Sequence, residues 1–280
     1  MVSAAPQEIA VSSWPGLLAG VSMAGFRNRA DDLVDIQVVP YPAVTLFFDF
    51  GDGLLVEDAS GHQQRGSVVA GFTPGRVRGQ GRDIECLQVR LSPLVAHAVL
   101  GASSALGETV AALEDLWGRD ATRIQEQLRA AGSWRDRFAI AGAALARRYE
   151  AGWVVDPEVA FAWGQMAQNR GRVRVERLSA EVGWSRKRLW SRFGSQVGLT
   201  PKRAARLVRF DHAAHRLAVG DHAALVAAES GYVDQSHLHR DVMAFAGVTP
   251  AAVAIAPWLA VDSVAWAGSK HAAQTVTRAR

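Results

Sequence analysis

A chain of 280 residues can make one large domain or two ordinary ones, and its make-up of 49% hydrophobic and 21% charged residues excludes wholesale disorder. A single cysteine, Cys86, excludes an intramolecular disulfide framework and any zinc site built from four cysteines or from two cysteines and two histidines. The net charge of +4 divides unevenly: residues 1–170 hold 15 Lys and Arg against 19 Asp and Glu, whereas residues 171–250 hold 13 against 7. The remaining residues, 251–280, hold 3 against 1. That asymmetry points to a phosphate-binding module joined to an acidic domain. The first residues, MVSAAPQEIAVSSW, have neither the basic nor the apolar stretch of a secretory signal.

In chain order, residues 33–92 are expected to be β structure. Val34, Ile36 and Val38 alternate, Val44 to Phe50 is β-branched and aromatic, and Gly51-Asp52-Gly53 is a turn before Leu54-Leu55-Val56. Further strands are expected at Ser67–Phe72 and Ile84–Leu91. GRVRGQGR, from Gly75 to Arg82, superficially resembles a phosphate cradle but lacks the Lys-Ser/Thr ending, so a basic hairpin loop is the preferred reading. Cys86, on a strand, reads as a small buried hydrophobe rather than a redox sensor. Trp14, Tyr41, Phe47, Phe48 and Phe50 could line an effector pocket, although an aromatic core explains most of them. His62 and His97 belong to no metal or nucleophile motif and read as structural. From Pro93 to Tyr149 the spacing becomes helical, through Val95, Val99, Leu113, Leu116, Ile124, Leu128, Phe138 and Leu145.

The basic block contains a duplication. Ala180-Glu181-Val182-Gly183-Trp184 matches Ala228-Glu229-Ser230-Gly231-Tyr232 at an offset of 48. After one extra residue, Leu189 matches Leu238, and Gly198-Leu199-Thr200-Pro201 matches Gly247-Val248-Thr249-Pro250. Each copy reads as helix, glycine turn, helix. In the first, Val175, Leu178 and Val182 form an apolar face, Gly183 takes the turn, Ser185 caps, and Leu189, Phe193 and Val197 are buried. In the second, Leu225, Ala228 and Gly231 take the first roles, Asp234 caps, and Leu238, Val242 and Phe245 form the buried stripe. This is a helix-turn-helix pattern, whose second helix can enter a major groove.

With Leu189 inward, rotation of about 100° per residue sets Lys187 and Ser191 outward, flanked by Arg188 and Trp190. From Leu238 the same rotation sets Ser236 and Arg240 outward, flanked by His237 and His239. Lys and Arg can read guanine, Ser is ambiguous, and Trp can meet a thymine methyl or a sugar. A solvated helix face is the plain alternative for any one of these residues; as a set on two repeated helices they favour DNA. The intervening helix, Pro201 to Val219 with Thr200 as cap, buries Leu207, Phe210, Ala214 and Leu217. Lys202, Arg203, Arg206, Arg209 and Arg216 mostly lie off that stripe, and Arg206 and Arg209 are expected to meet phosphate or solvent. Its length of about 28 Å is close to one duplex turn, so one chain could place two helices in successive major grooves. His212 and His215, three apart, share a helix face, and His222, His237 and His239 lie downstream, but a helix that meets phosphate favours the same residues, and no metal site is assigned. Val242 to Val261 carries no charge, yet Pro250 and Pro257 interrupt it, so no membrane span is expected.

LSAEVGWSRKRLWSRFGSQVGLTP and AAESGYVDQSHLHRDVMAFAGVTP strongly resemble the C-terminal DNA-binding domain of AraC/XylS transcription regulators, over roughly residues 156–255. The resemblance includes a first helix from Asp156 to about Asn169. It implies DNA contacts at Ser185, Arg186, Lys187, Arg188, Trp190, Ser191 and Arg192, and at Gln235, Ser236, His237, His239 and Arg240. Ser191 stands where the family usually has Arg, Trp190 where it has a small or polar residue, and Val242 where it has Phe. QVRLSPLVAHAVLG followed by LEDLWG resembles the sensory half of actinobacterial members, implying a cupin-like β domain with a helical linker.

The fold class is therefore expected to be α+β: a sensory domain over residues 1–150, a tandem helix-turn-helix domain over 151–260 and a tail over 261–280. The implied function is sequence-specific regulation of transcription by binding, without catalysis or cofactor, in the cytoplasm. Implied partners are double-stranded DNA, a small-molecule effector, RNA polymerase and a second copy of the chain. Two rivals remain: an enzyme fused to such a domain, such as a DNA-repair alkyl acceptor using Cys86, and an architectural DNA binder.

Overall fold

The structure, a computed structural model, describes residues 8–12, 18–28, 34–38, 40–51, 53–72, 77–101, 109–255, 264 and 266. Its first part is two antiparallel sheets. One contains, in spatial order, β1 (Glu8–Val11), β2 (Val21–Asn28), β9 (Ile84–Leu91), β4 (Val44–Asp49), β7 (Val68–Ala70) and β10 (Val110–Ala112). The other contains β3 (Val34–Val38), β8 (Val77–Gly81), β5 (Leu55–Glu57) and β6 (Gln63–Arg65). A helical part follows, so the architecture is α+β as expected.

Three expectations for this half need correction. The β structure begins at Glu8, not residue 33. Gly25 lies in the middle of β2 and weakens its strand signal. It is there for packing: a Cβ on Gly25 would lie 2.3 Å from the Trp134 ring. Second, Val77–Gly81 of the expected basic loop is a strand, with Val77 facing Val38 and Gln80 facing both Asp35 and Leu55. Third, the helical stretch after Pro93 is interrupted by β10, which pairs with β7.

Alternation along the strands gives the larger sheet two apolar faces. Leu46, Phe48, Leu87, Val89 and Leu91 face the helices, whereas Ala24, Phe26, Phe47, Val68 and Cys86 face the smaller sheet. On the helical side lie α1 (Pro93–Leu100), α2 (Leu113–Trp117), α3 (Arg119–Ala130) and α4 (Trp134–Glu150). Arg137 of α4 is buried against the end of an interior strand, β9, where its Nη1 lies 2.5 Å from Glu85 and its guanidinium lies over Phe50 and Trp134. Burial alone would raise the Glu85 carboxyl, but bonds from Arg137 and Arg27 outweigh it and hold the carboxyl below its ordinary value.

The apolar core is continuous from the larger sheet through these helices into the C-terminal helices. Helix α1 is the joint. It leaves β9 through a Ser92 cap and packs both on that strand and on α7 (Arg186–Val197). At its C-terminal end the Trp153 N–H donates to Ala98 O at 3.3 Å, and a Cβ on Gly152 would lie 2.0 Å from the same oxygen. His97 is buried at this joint, and desolvation, with Arg192 nearby, lowers its pKa.

Among the described residues no helix is long and apolar enough to cross a membrane. The uncharged run from Val242 is broken where Gly247 ends a helix at φ +67°.

Candidate nucleic-acid interface

The C-terminal part contains α5 (Pro157–Gln168), α6 (Val175–Glu181), α7, α8 (Pro201–Ala218), α9 (Ala223–Glu229), α10 (Gln235–Ala246) and α11 (Pro250–Ala254). Two helix-turn-helix units, α6–α7 and α9–α10, are joined by α8. Both turns need a left-handed residue, and glycine supplies it: Gly183 at φ +68° and Gly231 at φ +78°. The recognition helices start at side-chain caps, Ser185 Oγ accepting from Arg188 N at 3.2 Å and Asp234 Oδ1 from His237 N at 2.7 Å. Thr200 and Thr249 cap the helices that follow each unit, accepting from Arg203 N and Ala252 N.

Leu189, Phe193 and Val197 of α7, and Leu238, Val242 and Phe245 of α10, are buried as their spacing predicts. The first helix of the second unit differs from expectation. Val226 and Ala227 are the buried residues, while Leu225 is 46% exposed and Ala228 is also exposed. The repeat itself contained the answer, since an offset of 48 carries buried Leu178 onto Val226 rather than onto Leu225.

The outward faces differ in how much of their polar equipment is already engaged. On α7, Lys187, Trp190 and Ser191 are exposed. Arg188 lies over the Trp184 ring at 4.4 Å, and Arg186 is 3.7 Å from Glu176. Arg192 forms a two-point ion pair with Asp156, at 2.6 and 2.8 Å, which holds that carboxyl below its ordinary value. On α10, Gln235, Ser236, His239 and Arg240 are exposed. His237 is half-buried, its ring edge-on to Tyr232 and its Nδ1 accepting from Val233 N at 3.4 Å.

Arg206 and Arg209 of α8 also depart from expectation. They turn inward to buried Asp241 of α10, with nitrogens 2.7 and 3.5 Å from its two oxygens. They brace the second unit, Arg206 while its side chain stays 40% exposed. Arg216 similarly pairs with Asp221 at 2.7 Å and with Glu229.

The remaining candidates resolve simply. Among the described residues no group of three or more His, Cys, Asp and Glu could hold a metal. Burial, reinforced by Arg170 and Arg216, pushes His212 down to about 4, so its imidazole is neutral. His62 is exposed, with its ring beside Gln64. Cys86 is buried and its thiol is pushed up by desolvation, with Asp49 and Glu85 adding to the shift, which is the opposite of an activated nucleophile. Of the aromatic residues considered for an effector pocket, Phe48 and Phe50 belong to the helix-facing core. Tyr41 and Phe47 line an open recess beside the second sheet. Trp14 lies outside the described residues.

The match to a known family agrees with this geometry. The family described as Helix-turn-helix domain matches residues 178–254, from the buried face of α6 to the end of α11. Among curated proteins no match is found. Solved structures similar to this chain include ToxT from Vibrio cholerae O395, at 12% identity and a TM-score of 0.46, covering 83% of this chain and 96% of that one. Another is the C-terminal domain of AraT, a response regulator from Geobacillus stearothermophilus, at 17% identity and a TM-score of 0.34, covering 36% and 87%. A third is the AraC-like transcriptional activator CuxR, at 13% identity and a TM-score of 0.22, covering 95% and 91%.

The tandem units and the family match define a DNA-binding transcriptional regulator. Residues 178–254 are a helix-turn-helix domain of the AraC type.

Proposed function

We propose that α7 and α10 enter successive major grooves on one side of a duplex, and that the β-rich half is the sensory domain, the chain dividing near residue 150. The observation that carries this reading is the single helix α8. Its 18 residues give a rod of about 27 Å, and its buried stripe of Leu207, Phe210, Ala214 and Leu217 locks both units to it. Lys187, Trp190 and Ser191 would read bases in one groove, and Gln235, Ser236, His239 and Arg240 in the other. Ser185 serves as a cap, and Arg186 and Arg188 suit phosphate contacts. Arg192 and His237 are committed to contacts inside the protein and would position their helices. The chain would act by binding in the cytoplasm, with a small-molecule effector in the sensory half and RNA polymerase at the promoter. A second copy is not needed to span two grooves.

Binding-site selection on single variants tests the assignment. Lys187→Ala and Arg240→Ala should each cost about 1–3 kcal/mol and relax preference at one position, the two positions lying about 10 base pairs apart. If both variants keep the parent's preferences, α7 and α10 are not the base readers. Affinity should also fall steeply with salt. An architectural binder would instead hold random and selected duplexes equally.

A further inference from the structure

We propose that Arg172 is a positioning residue for DNA recognition: reaching from the loop between α5 and α6, it props the turn of the second helix-turn-helix unit and so fixes the spacing at which α7 and α10 can act together. The loop it stands on has little freedom. Arg170 and Gly171 are both left-handed, at φ +54° and +73°, and the Gly171 N–H donates to Met166 O at 2.8 Å, closing the end of α5. Gly171 is buried against the backbone of α8, where a Cβ would lie 2.1 Å from Ala205 O and 2.8 Å from Arg209 N. Only glycine permits that approach. Val173, just beyond, packs on the helical core as the chain enters α6.

From this platform the Arg172 side chain crosses to the second unit. Its Nη1 donates to Glu229 O at 3.2 Å, the last carbonyl of α9 and one of those a helix end leaves without an internal partner. Its aliphatic stem lies over Gly231, the turn residue, where a Cβ would be 2.7 Å from Arg172 Cδ and 2.9 Å from its Cγ. Glu229 is also held through its carboxylate, by the ion pair with Arg216 of α8. Arg209, whose backbone meets Gly171, lays its guanidinium over the Tyr232 ring at 4.8 Å.

The duplication shows that this contact is particular to one place. Gly183 is the turn glycine of the first unit and Gly220 the loop glycine ahead of the second. Both are left-handed, yet a Cβ on either would meet nothing within 4 Å. Where Arg172 follows Gly171, Asp221 follows Gly220 and turns back to Arg216 at 2.7 Å. The crowded glycines are the two that Arg172 joins. Helix α8 links the units along a single axis, and a contact off that axis removes the freedom to twist about it. One extra base pair between the two contacted sites shifts the second by about 3.4 Å and turns it by about 35°, which a propped unit cannot follow. This rests on the assignment of α7 and α10 to successive grooves proposed above.

The test uses the full chain and the duplex recovered by binding-site selection, set against the same duplex with one base pair inserted between the two contacted sites. The parent should lose roughly tenfold or more in affinity on insertion. Arg172→Ala should lose no more than about threefold, with its base preferences unchanged. Arg172→Lys, which keeps a stem and a donor, should recover most of the parent's discrimination. A parent indifferent to the insertion, or an Arg172→Ala variant as strict as the parent, overturns the proposal. So does an equal loss of affinity at both spacings, which would make Arg172 a phosphate contact. A measurement without DNA separates this from the groove assignment. Spin labels on Ser195→Cys of α7 and Ala244→Cys of α10, both exposed, with Cys86 buried and unlabelled, should give a distance distribution that broadens in Arg172→Ala. An unchanged width overturns the prop and leaves the groove assignment standing. A broadened one upholds the prop even if the selection finds no paired sites, a result that would count against the groove assignment alone.

Discussion

The two helix-turn-helix units share a backbone and differ in what holds them. In both, an ion pair links the recognition helix to the helix that precedes the unit. In the first unit, Arg192 of α7 pairs with Asp156 at the head of α5; in the second, Asp241 of α10 pairs with Arg206 and Arg209 of α8. Arg192 and Asp241 are equivalent in the repeat, 49 residues apart beyond the one-residue insertion. The brace has survived duplication with its charges exchanged. Its environment has not: the Asp241 side chain is 4% exposed, whereas Asp156 and Arg192 are 24% and 50% exposed. The first unit makes up the difference by packing on α1, the joint with the β-rich half. One unit is fixed internally; the other is fixed to its neighbour.

That contrast is best broken at the braces. Removing one partner of a buried pair leaves an uncompensated charge, so Asp241→Ala should cost roughly 3 kcal/mol, near the low end because Arg206 is 40% exposed. Asp156→Ala removes a solvated pair and should cost less than about 1 kcal/mol. Urea denaturation of the two variants checks both values. Equal losses would mean that burial does not distinguish the braces.

The next effect sharpens the packing of the second unit. Val226→Ala should cost about 2 kcal/mol, two buried methyl groups with a small cavity, whereas Leu225→Ala should stay within about 0.5 kcal/mol. The same pair shows where sequence reading succeeds and fails. In α7 and α10 apolar residues alternate with charges, so periodicity alone finds Leu189, Phe193, Leu238 and Val242. In α9, AALVAAE presents an apolar residue at nearly every position, and hydrophobicity cannot choose a face. Only the repeat offset could. The strands β2 and β8 were hidden for a related reason: their glycines serve close packing or pairing and carry no strand signal. The capped turns were legible because a Ser or Asp ahead of a helix and a glycine in a turn are local chemistry. The ion pairs of Arg192, Arg206 and Arg209 were not, because their partners lie 36, 35 and 32 residues away.

The smallest effect concerns the junction between the units, where His212 of α8 meets the loop after α5. Its Nε2 lies 3.4 Å from Arg170 Nη1, and burial, Arg170, Arg216, His215 and Arg172 together push its pKa from 6.5 to about 4. Between those two values the unfolded chain holds a proton at this position that the folded chain does not. Stability must therefore fall as pH drops from about 6.5 toward 4, and the contribution is constant above that window. Asp156 acts elsewhere: its lowered pKa gives stability that is present above 3.8 and lost only as pH falls through the lower folded value. His97, also lowered by burial, titrates in an overlapping range at the α1 joint, so the comparison must be made by difference. Urea midpoints of the parent and His212→Gln, measured at pH 7 and pH 5, should converge or cross on acidification, the variant losing less. Parallel shifts in the two proteins would show that the junction carries no buried imidazole, and that the two units are held on α8 by their braces and apolar stripe alone.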